Sequence, residues 1–217
     1  MRLIRLPGVF RPPTDTWMLA KVLREEIGGR RVSVLDLCTG TGALALVAAE
    51  EGASVTAIDI SRRAVLNVRL NALLNGVRVR PARGDLFAAV AREQFDVIVT
   101  NPPYVPAPDE RLPERGLERA WQAGLDGRVL IDRICASVAA HLRPGGAVLI
   151  VQSTINGEEA TRSLLEDAGL EADVACREQG EFGPLMTRMA PELEERGLIA
   201  VGERTEEVVV VRGRKPA

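Results

Sequence analysis

Residues 32–42, Val-Ser-Val-Leu-Asp-Leu-Cys-Thr-Gly-Thr-Gly, decide the fold class of this chain. The β-branched apolar run predicts a buried strand, and the glycines after it allow the backbone to turn sharply into a helix. The same rhythm of apolar run and helical pattern continues along most of the 217 residues. It predicts strands at 32–37, 54–59, 77–81, 95–100 and 146–152, and helices at 41–51, 61–74, 126–142 and 157–168. We therefore expect an α/β fold with a doubly wound, mostly parallel sheet.

The segment after residue 169 departs from this rhythm. Strands are predicted at 170–177 and 206–212, which brings the expected sheet to seven strands. An insertion at 178–203, helix-like around 184–196, lies between them. Because no long crossover joins these two strands, we expect them to form an antiparallel pair at one edge of the sheet, with an antiparallel terminal strand.

Helix-end signals are present before the first strand and around the second predicted helix. Residues 1–30 form an N-terminal segment in which Thr14-Asp15-Thr16 predicts the cap of a helix over about 16–27. Ser61 is placed to cap the helix predicted at 61–74, and Asn75-Gly76 to end it with a left-handed residue.

The composition excludes several kinds of site. Charge is nearly balanced, with 28 basic and 30 acidic residues, which speaks against nucleic acid as the main partner. Three scattered cysteines predict a reducing environment and no zinc cluster. The single histidine, His141, lies near a predicted helix end, where a cation suits the dipole. We therefore expect a single-domain protein over 1–217 without a metal. No apolar run reaches membrane-spanning length, so we also expect a cytoplasmic protein.

A nucleotide site is predicted where the first strands end. The turn from Asp36 to Gly42 leaves the N–H groups at the start of the helix free to bind a ligand. Asp59 ends the second strand, where its carboxylate can accept hydrogen bonds from both ribose hydroxyls. The glycine spacing also fits NAD, so this turn alone leaves the nucleotide open. Asp85, after the third strand, can accept from an adenine amino group and favours S-adenosylmethionine.

Asn101-Pro102-Pro103-Tyr104 follows the fourth predicted strand and favours a reaction on a planar nitrogen. The lone pair of such a nitrogen is delocalised and has to be aimed at the methyl carbon. The side-chain carbonyl of Asn101 and the backbone carbonyl of Pro102 can accept its two N–H groups, and the prolines stiffen the loop. Tyr104 can supply a flat face for the planar group. Catalysis would then consist of positioning and electrostatics, without a strong base.

These motifs together resemble a known family. The tetrapeptide after Asp96-Val97-Ile98-Val99-Thr100, the turn after Asp36 and the loop Pro144-Gly145-Gly146 resemble class I methyltransferases of the HemK type, which are protein glutamine N5-methyltransferases. Two more segments, residues 8–16 (GVFRPPTDT) and 116–128, resemble the short archaeal and eukaryotic branch, which lacks a helical N-terminal domain.

The resemblance implies a Rossmann-like fold, S-adenosylmethionine as cofactor and the GGQ-loop glutamine of a class I release factor as substrate. It also implies a small zinc-binding activator subunit for some relatives. The candidate cofactor-binding residues are Asp15, Thr16, Asp36, Cys38, Thr39, Gly40, Gly42, Asp59, Ile60, Asp85, Leu86 and Asn101, and the candidate catalytic residues are Asn101, Pro102 and Tyr104. Cys38 replaces the first glycine of the usual motif, which suits a position facing away from the methionine moiety.

Other functions stay open at this point. N6-adenine or N2-guanine methylation uses a similar tetrapeptide but requires base flipping and additional strand-binding surface. A small-molecule N-methyltransferase would use the 178–203 insertion as a lid. A binding protein that keeps only the cofactor fold would not need Asn101 and Tyr104. With about 30 residues before the first strand, we expect no helical docking domain for the substrate.

Overall fold

The computed structural model describes residues 1–217 and contains one seven-stranded sheet flanked by helices. The strands are β1 (Ser33–Leu37), β2 (Ser54–Asp59), β3 (Val79–Arg83), β4 (Phe95–Thr100), β5 (Leu142–Ser153), β6 (Glu171–Glu181) and β7 (Thr205–Arg214). The helices are α1 (Thr14–Ile27), α2 (Ala43–Glu50), α3 (Arg62–Leu74), α4 (Val129–Val138), α5 (Glu158–Asp167) and α6 (Pro184–Glu195). None of these helices combines the length and the apolar character needed to cross a membrane.

The sheet has the order β3-β2-β1-β4-β5-β7-β6. Strands β1 to β5 pair in parallel, whereas β7 is antiparallel to both β5 and β6. The predicted fold class is therefore confirmed, including the antiparallel terminal strand. The predicted antiparallel pair is also confirmed, because β6 and β7 form one edge of the sheet with β7 between β5 and β6. The strand order reverses between β1 and β4, which opens a crevice at their carboxyl ends.

Helices cover both faces of the sheet and explain why its central strands are continuously apolar. One buried cluster joins α1 and α2 to the sheet and contains Leu19, Leu23 and Val47. The other joins α4 to the opposite face and contains Ile131 and Ile134. Helices exclude water from both faces of the sheet. The polar groups therefore lie at the open edge, along the carboxyl ends of the strands.

Most helix and strand signals proved right, and the differences lie at element ends. The Ser61 cap is confirmed, with the Ala64 N–H 3.4 Å from its Oγ, and Gly76 is left-handed. Helix α1 begins at Thr14 with Pro13 at its N-cap, so the predicted Thr14-Asp15-Thr16 cap is wrong. Pro13 has φ −79° and ψ −178°, the extended backbone that an N-cap residue adopts.

The region predicted as a helix over 126–142 is shorter. Helix α4 spans Val129–Val138, and His141 lies in a short 3₁₀ turn after it. The His141 ring is buried, stacks on Phe87 at a centroid distance of 4.4 Å and lies 3.0 Å from the Glu93 carbonyl. Packing therefore holds this residue in place.

The 178–203 insertion packs against the loop after β4 and supports it. Helix α6 confirms its predicted helical part and contributes Met186 and Leu193 to a separate apolar cluster. Trp121, from the loop after β4, packs against this cluster, and the Arg196 guanidinium donates to the carbonyls of Ala107 and Leu125. The insertion thus fixes the loop that forms one side of the crevice.

Candidate functional site

The predicted site residues converge on the carboxyl edge of the sheet. The turn after β1, the end of β2, the loop after β3 and the tetrapeptide after β4 all meet there. A cavity of about 540 Å³ opens between them. This volume lies in the range of small-molecule sites.

Asp36 organises the turn after β1 from inside the protein. Its side chain is fully buried, and Oδ2 accepts from the Thr39 hydroxyl at 2.5 Å and the Ala45 N–H at 3.0 Å. Its other oxygen, Oδ1, has no hydrogen-bond partner. Burial raises the pKa of Asp36 to about 7, against the lowering effect of these two donors. Asp36 therefore ties the turn to the start of α2 without facing the cavity.

Asp59 is held at the cavity wall by two backbone donors. The Gly40 N–H lies 3.0 Å from Oδ2, and the Ser61 N–H lies 2.8 Å from Oδ1. Burial raises the pKa of Asp59, and these N–H groups oppose the shift. Each oxygen keeps a free lone pair, so the carboxylate can accept from two further donors in the cavity.

Two residues at this edge have a left-handed backbone without being glycine. Cys38 has φ 57° and Leu86 has φ 47°, and both residues line the cavity. Such conformations are costly for L-residues and occur most often at functional sites. The expectation that Cys38 faces away from the methionine moiety stays a prediction. Burial raises the pKa of its thiol, with Asp59 adding to the shift.

Asp85 lies on the opposite side of the cavity from the tetrapeptide. Its carboxylate forms a half-exposed ion pair with Arg133 at 2.7 Å. A pair at this exposure contributes little to stability, so it can rearrange at little cost when a ligand arrives.

Asn101 is oriented by residues from the start of α1. Its Nδ2 donates to the Thr16 hydroxyl at 2.9 Å and lies 3.3 Å from Oδ2 of Asp15. Both donor positions of the amide therefore face α1, and its carbonyl oxygen keeps its acceptor capacity.

Tyr104 belongs to the same network. Its hydroxyl donates to Oδ2 of Asp15 at 2.5 Å, while burial and the adjacent carboxylate hold its pKa well above the ordinary value. Burial also raises the pKa of Asp15, and the Tyr104 hydrogen bond opposes this shift. Tyr104 is not among the residues that line the cavity, and its hydroxyl ties the ring to α1. Its flat face for the acceptor stays a prediction.

The structure places most of the predicted residues in the cavity wall. Those lining it are Thr16, Cys38, Thr39, Gly40, Asp59, Ile60, Asp85, Leu86 and Asn101. The lining does not include Asp15, Asp36, Gly42, Pro102 or Tyr104. Gly42 is needed for close packing, since a Cβ there would lie 3.1 Å from the Val68 side chain.

Sequence reasoning missed Asn156, which holds the far end of the tetrapeptide. Its Nδ2 donates to the Tyr104 carbonyl at 2.8 Å and to the Asp126 carbonyl at 2.9 Å. Gly127 lies against the same carbonyl with φ 75°, where a Cβ would clash. The glycine offered a sequence signal, whereas no local pattern marks Asn156.

Comparison with known proteins agrees with this geometry. Residues 1–115 match the methyltransferase small domain family. A Methanocaldococcus jannaschii protein assigned as an N5-glutamine methyltransferase is 34% identical over 181 residues, covering 83% of this chain and 90% of the relative. The Bordetella pertussis release factor glutamine methyltransferase is 37% identical over 172 residues, covering 76% of this chain and 63% of the relative. The chain thus spans less than two thirds of that longer enzyme.

A solved structure shares the whole fold. The Encephalitozoon cuniculi Mtq2–Trm112 complex, described as responsible for methylation of the eRF1 translation termination factor, matches with a TM-score of 0.65 at 23% identity. The match covers 96% of this chain and 99% of that chain. The sheet order, with β7 between β5 and β6, and the site at the crevice define a Rossmann-like class I methyltransferase. More specifically, the chain belongs to the methyltransferase small domain family. It is an enzyme that uses S-adenosylmethionine.

Proposed function

We propose that this enzyme methylates the side-chain amide of a protein glutamine, and that the acceptor is the GGQ-loop glutamine of a class I release factor. The observation that carries the proposal is the orientation of Asn101. Its amide donors are engaged by Thr16 and Asp15, which leaves the carbonyl for an N–H of the acceptor. The names of the M. jannaschii and B. pertussis relatives support a glutamine substrate.

The proposed chemistry follows from two acceptors at the end of β4. The Asn101 side-chain carbonyl and the Pro102 backbone carbonyl bind the two N–H groups of the glutamine amide and turn its lone pair toward the methyl group. Bound S-adenosylmethionine supplies that methyl group on an electrophilic sulfonium. The nitrogen proton becomes acidic once the new bond forms, so these acceptors and solvent suffice to remove it. Most of the rate enhancement would come from positioning.

The cavity wall fits S-adenosylmethionine. We assign the two free lone pairs of Asp59 to the ribose hydroxyls and the Asp85 carboxylate to the adenine amino group. Ile60 is 43% exposed inside the cavity, and with Leu86 it offers an apolar surface to the adenine ring. Cys38 lines the wall near the turn.

Residues behind the wall would act as positioning residues. Asp36 holds the turn through Thr39 and Ala45. Tyr104 acts through Asp15, whose carboxylate is shared between the Tyr104 hydroxyl and the Asn101 amide.

The experiment compares wild type with Asn101→Ala, using radiolabelled S-adenosylmethionine and a purified class I release factor. A release-factor variant with asparagine in place of the GGQ glutamine is the control substrate. We expect label only on the glutamine-containing protein and a loss of at least two orders of magnitude in turnover for Asn101→Ala. Cofactor affinity, measured by calorimetry, should change by less than about threefold.

Three outcomes would contradict the proposal. Equal turnover in the variant would remove the role of Asn101. Equal labelling of both release factors would exclude that glutamine. Cell extract can also be offered as the acceptor. Label on extract components that survives protease treatment and disappears with nuclease would point to nucleic acid methylation instead.

An activator subunit is part of the proposal, and one end of the molecule has the chemistry to bind it. This end comprises residues 1–14 and 60–84, which contain nine arginines and no acidic residue. All nine arginines are exposed, and among them only Arg80 forms an ion pair. On α3, Arg62, Leu66, Arg69 and Leu73 follow one helical stripe. Leu73 is 80% exposed. Alternating arginine and leucine favour an acidic protein with apolar contacts.

This partner surface can be tested by co-expression with a small zinc-binding subunit of the Trm112 type. Arg62→Glu with Arg69→Glu should abolish co-purification, whereas Arg188→Glu on α6 should preserve it. Equal co-purification of both variants would contradict the assignment. Displacement of the subunit by duplex RNA, together with tight RNA binding, would assign the arginines to nucleic acid.

A further inference from the structure

Three asparagines on α3 hold residues 1–6 as an extended segment, called the N-terminal strand below, which pairs with no strand of the sheet. The N–H groups of Arg2, Ile4 and Leu6 donate to Oδ1 of Asn75, Asn71 and Asn67 at 2.6, 2.9 and 2.8 Å. In return, Nδ2 of Asn75 donates to the Arg2 carbonyl at 2.7 Å, and Nδ2 of Asn71 and of Asn67 to the Ile4 carbonyl at 3.0 and 2.9 Å. We call this set of hydrogen bonds the asparagine ladder.

The ladder works because two repeats nearly coincide. Four residues of α-helix advance about 6 Å, and two residues of an extended chain advance about 6.6 Å. Every second residue of the strand therefore meets an asparagine four positions further along α3. Asn67 and Asn71 are fully buried while the ladder is closed, so water does not compete for their hydrogen bonds. A substitution that removes one partner in the closed state leaves a buried amide oxygen unpaired, which is costly.

Asn71 connects the ladder to the cofactor turn. Besides the Ile4 carbonyl, its Nδ2 donates to the Thr41 carbonyl at 2.9 Å. Thr41 lies between the two glycines of the turn after β1 and lines the cavity. One side chain thus holds both the N-terminal strand and the turn.

The residues that follow the ladder form a wall of the cavity. A turn closed by the Val9 N–H on the Leu6 carbonyl at 3.1 Å, with Gly8 at φ 81°, redirects the chain. Gly8, Val9, Phe10, Pro12 and Pro13 then line the cavity, and α1 begins at Thr14. This wall is anchored by the ladder on one side and by the contacts of α1 with Asn101 on the other.

We propose that residues 1–13 are a strap over the cofactor cavity, and that Asn67 and Asn71 are positioning residues whose ladder bonds set the residence time of S-adenosylmethionine. Opening starts at the exposed Arg2–Asn75 pair and proceeds toward Leu6. The ladder ends at Leu6, because the residue four positions before Asn67 is Arg63, which donates to the Pro7 carbonyl instead. The wall follows directly. Loosening the ladder therefore loosens the wall and speeds cofactor release.

The test is the dissociation rate of S-adenosylmethionine from full-length Ile4→Pro and Arg5→Pro, measured by stopped-flow fluorescence or by chase with unlabelled cofactor. Ile4→Pro removes the N–H that Asn71 binds, while proline still fits an extended chain. Arg5→Pro is the matched control, because the Arg5 N–H makes no hydrogen bond. We expect Ile4→Pro to raise the rate about fivefold to tenfold and Arg5→Pro to leave it within about twofold.

Amide hydrogen exchange supplies a second readout that does not depend on a variant. Saturating S-adenosylmethionine should slow exchange at Ile4 and Leu6 but not at Arg5 in the wild-type protein. Equal dissociation rates in the two proline variants would overturn the proposal. So would a lower melting temperature in Ile4→Pro with an unchanged dissociation rate, since the ladder would then be only a structural feature.

Discussion

Asp36→Asn tests whether a buried carboxylate sets the pH dependence of stability. The substitution preserves shape, and the asparagine Oδ1 can still accept from the Thr39 hydroxyl and the Ala45 N–H. The amide nitrogen replaces an oxygen that already has no partner. The variant therefore removes a titratable group and leaves the contacts of the turn nearly unchanged.

The magnitude follows from the shift in pKa. Asp36 titrates at about 7 in the folded protein, against 3.8 for an ordinary aspartate. At 1.36 kcal/mol per pH unit this difference corresponds to about 4 kcal/mol. Because the folded-state pKa is raised, the folded protein binds the proton more tightly. The contribution of protonated Asp36 to the free energy of unfolding is thus fully present below pH 3.8 and is lost as the pH rises through about 7.

Urea unfolding at a series of pH values between 5 and 8.5 measures this effect. Subtracting the free energy of unfolding of Asp36→Asn from that of wild type cancels the effect of the other carboxylates. This difference should fall as the pH rises to about 7 and then level off, because Asp36 is ionised in both states above that pH. A difference that stays constant over this range would refute the argument. Cofactor affinity should stay within about threefold in the variant, since Asp36 does not line the cavity.

Three further predictions concern the tetrapeptide and the core. Tyr104→Phe removes a hydrogen bond to Asp15 and should lower the free energy of unfolding by about 1.5–3 kcal/mol in urea titrations. Gly127→Ala should lower the melting temperature more than Gly52→Ala; both positions have positive φ, but only a Cβ at Gly127 meets other atoms. Burial raises the pKa of Cys135 to about 12, so iodoacetamide at pH 8 should label it only after unfolding, as mass spectrometry would show.

The predicted elements that agree with the structure carry strong local signals. The strands β1, β2 and β4 are apolar runs bounded by polar or turn residues, and α3 has both its cap and its terminal glycine. Their placement on one edge follows from parallel topology. The cavity positions of Asp59 and Asn101 could therefore be predicted from the strands they end.

The errors occur where tertiary contacts decide a local feature. Strand β5 begins at Leu142, the last residue of the predicted helix at 126–142, because it pairs with β4 across a register shift. His141 packs on Phe87, which is distant in sequence. The partner of the Tyr104 hydroxyl also depends on tertiary contacts, because α1 brings the Asp15 carboxylate to it.

The sequence by itself determined the order of strands and helices, the glycine turn, and the reactive tetrapeptide at the end of β4, because periodicity and turn chemistry act over a few residues. Only the tertiary structure decided which way Asn101 faces, since its partner Thr16 lies 85 positions away. The same holds for the asparagine ladder, whose four-residue spacing is visible in the sequence but whose partners, Arg2 to Leu6, are 61 to 73 positions away. Hydrogen bonds over such separations exist only after the sheet has brought the segments together, so no local pattern encodes them.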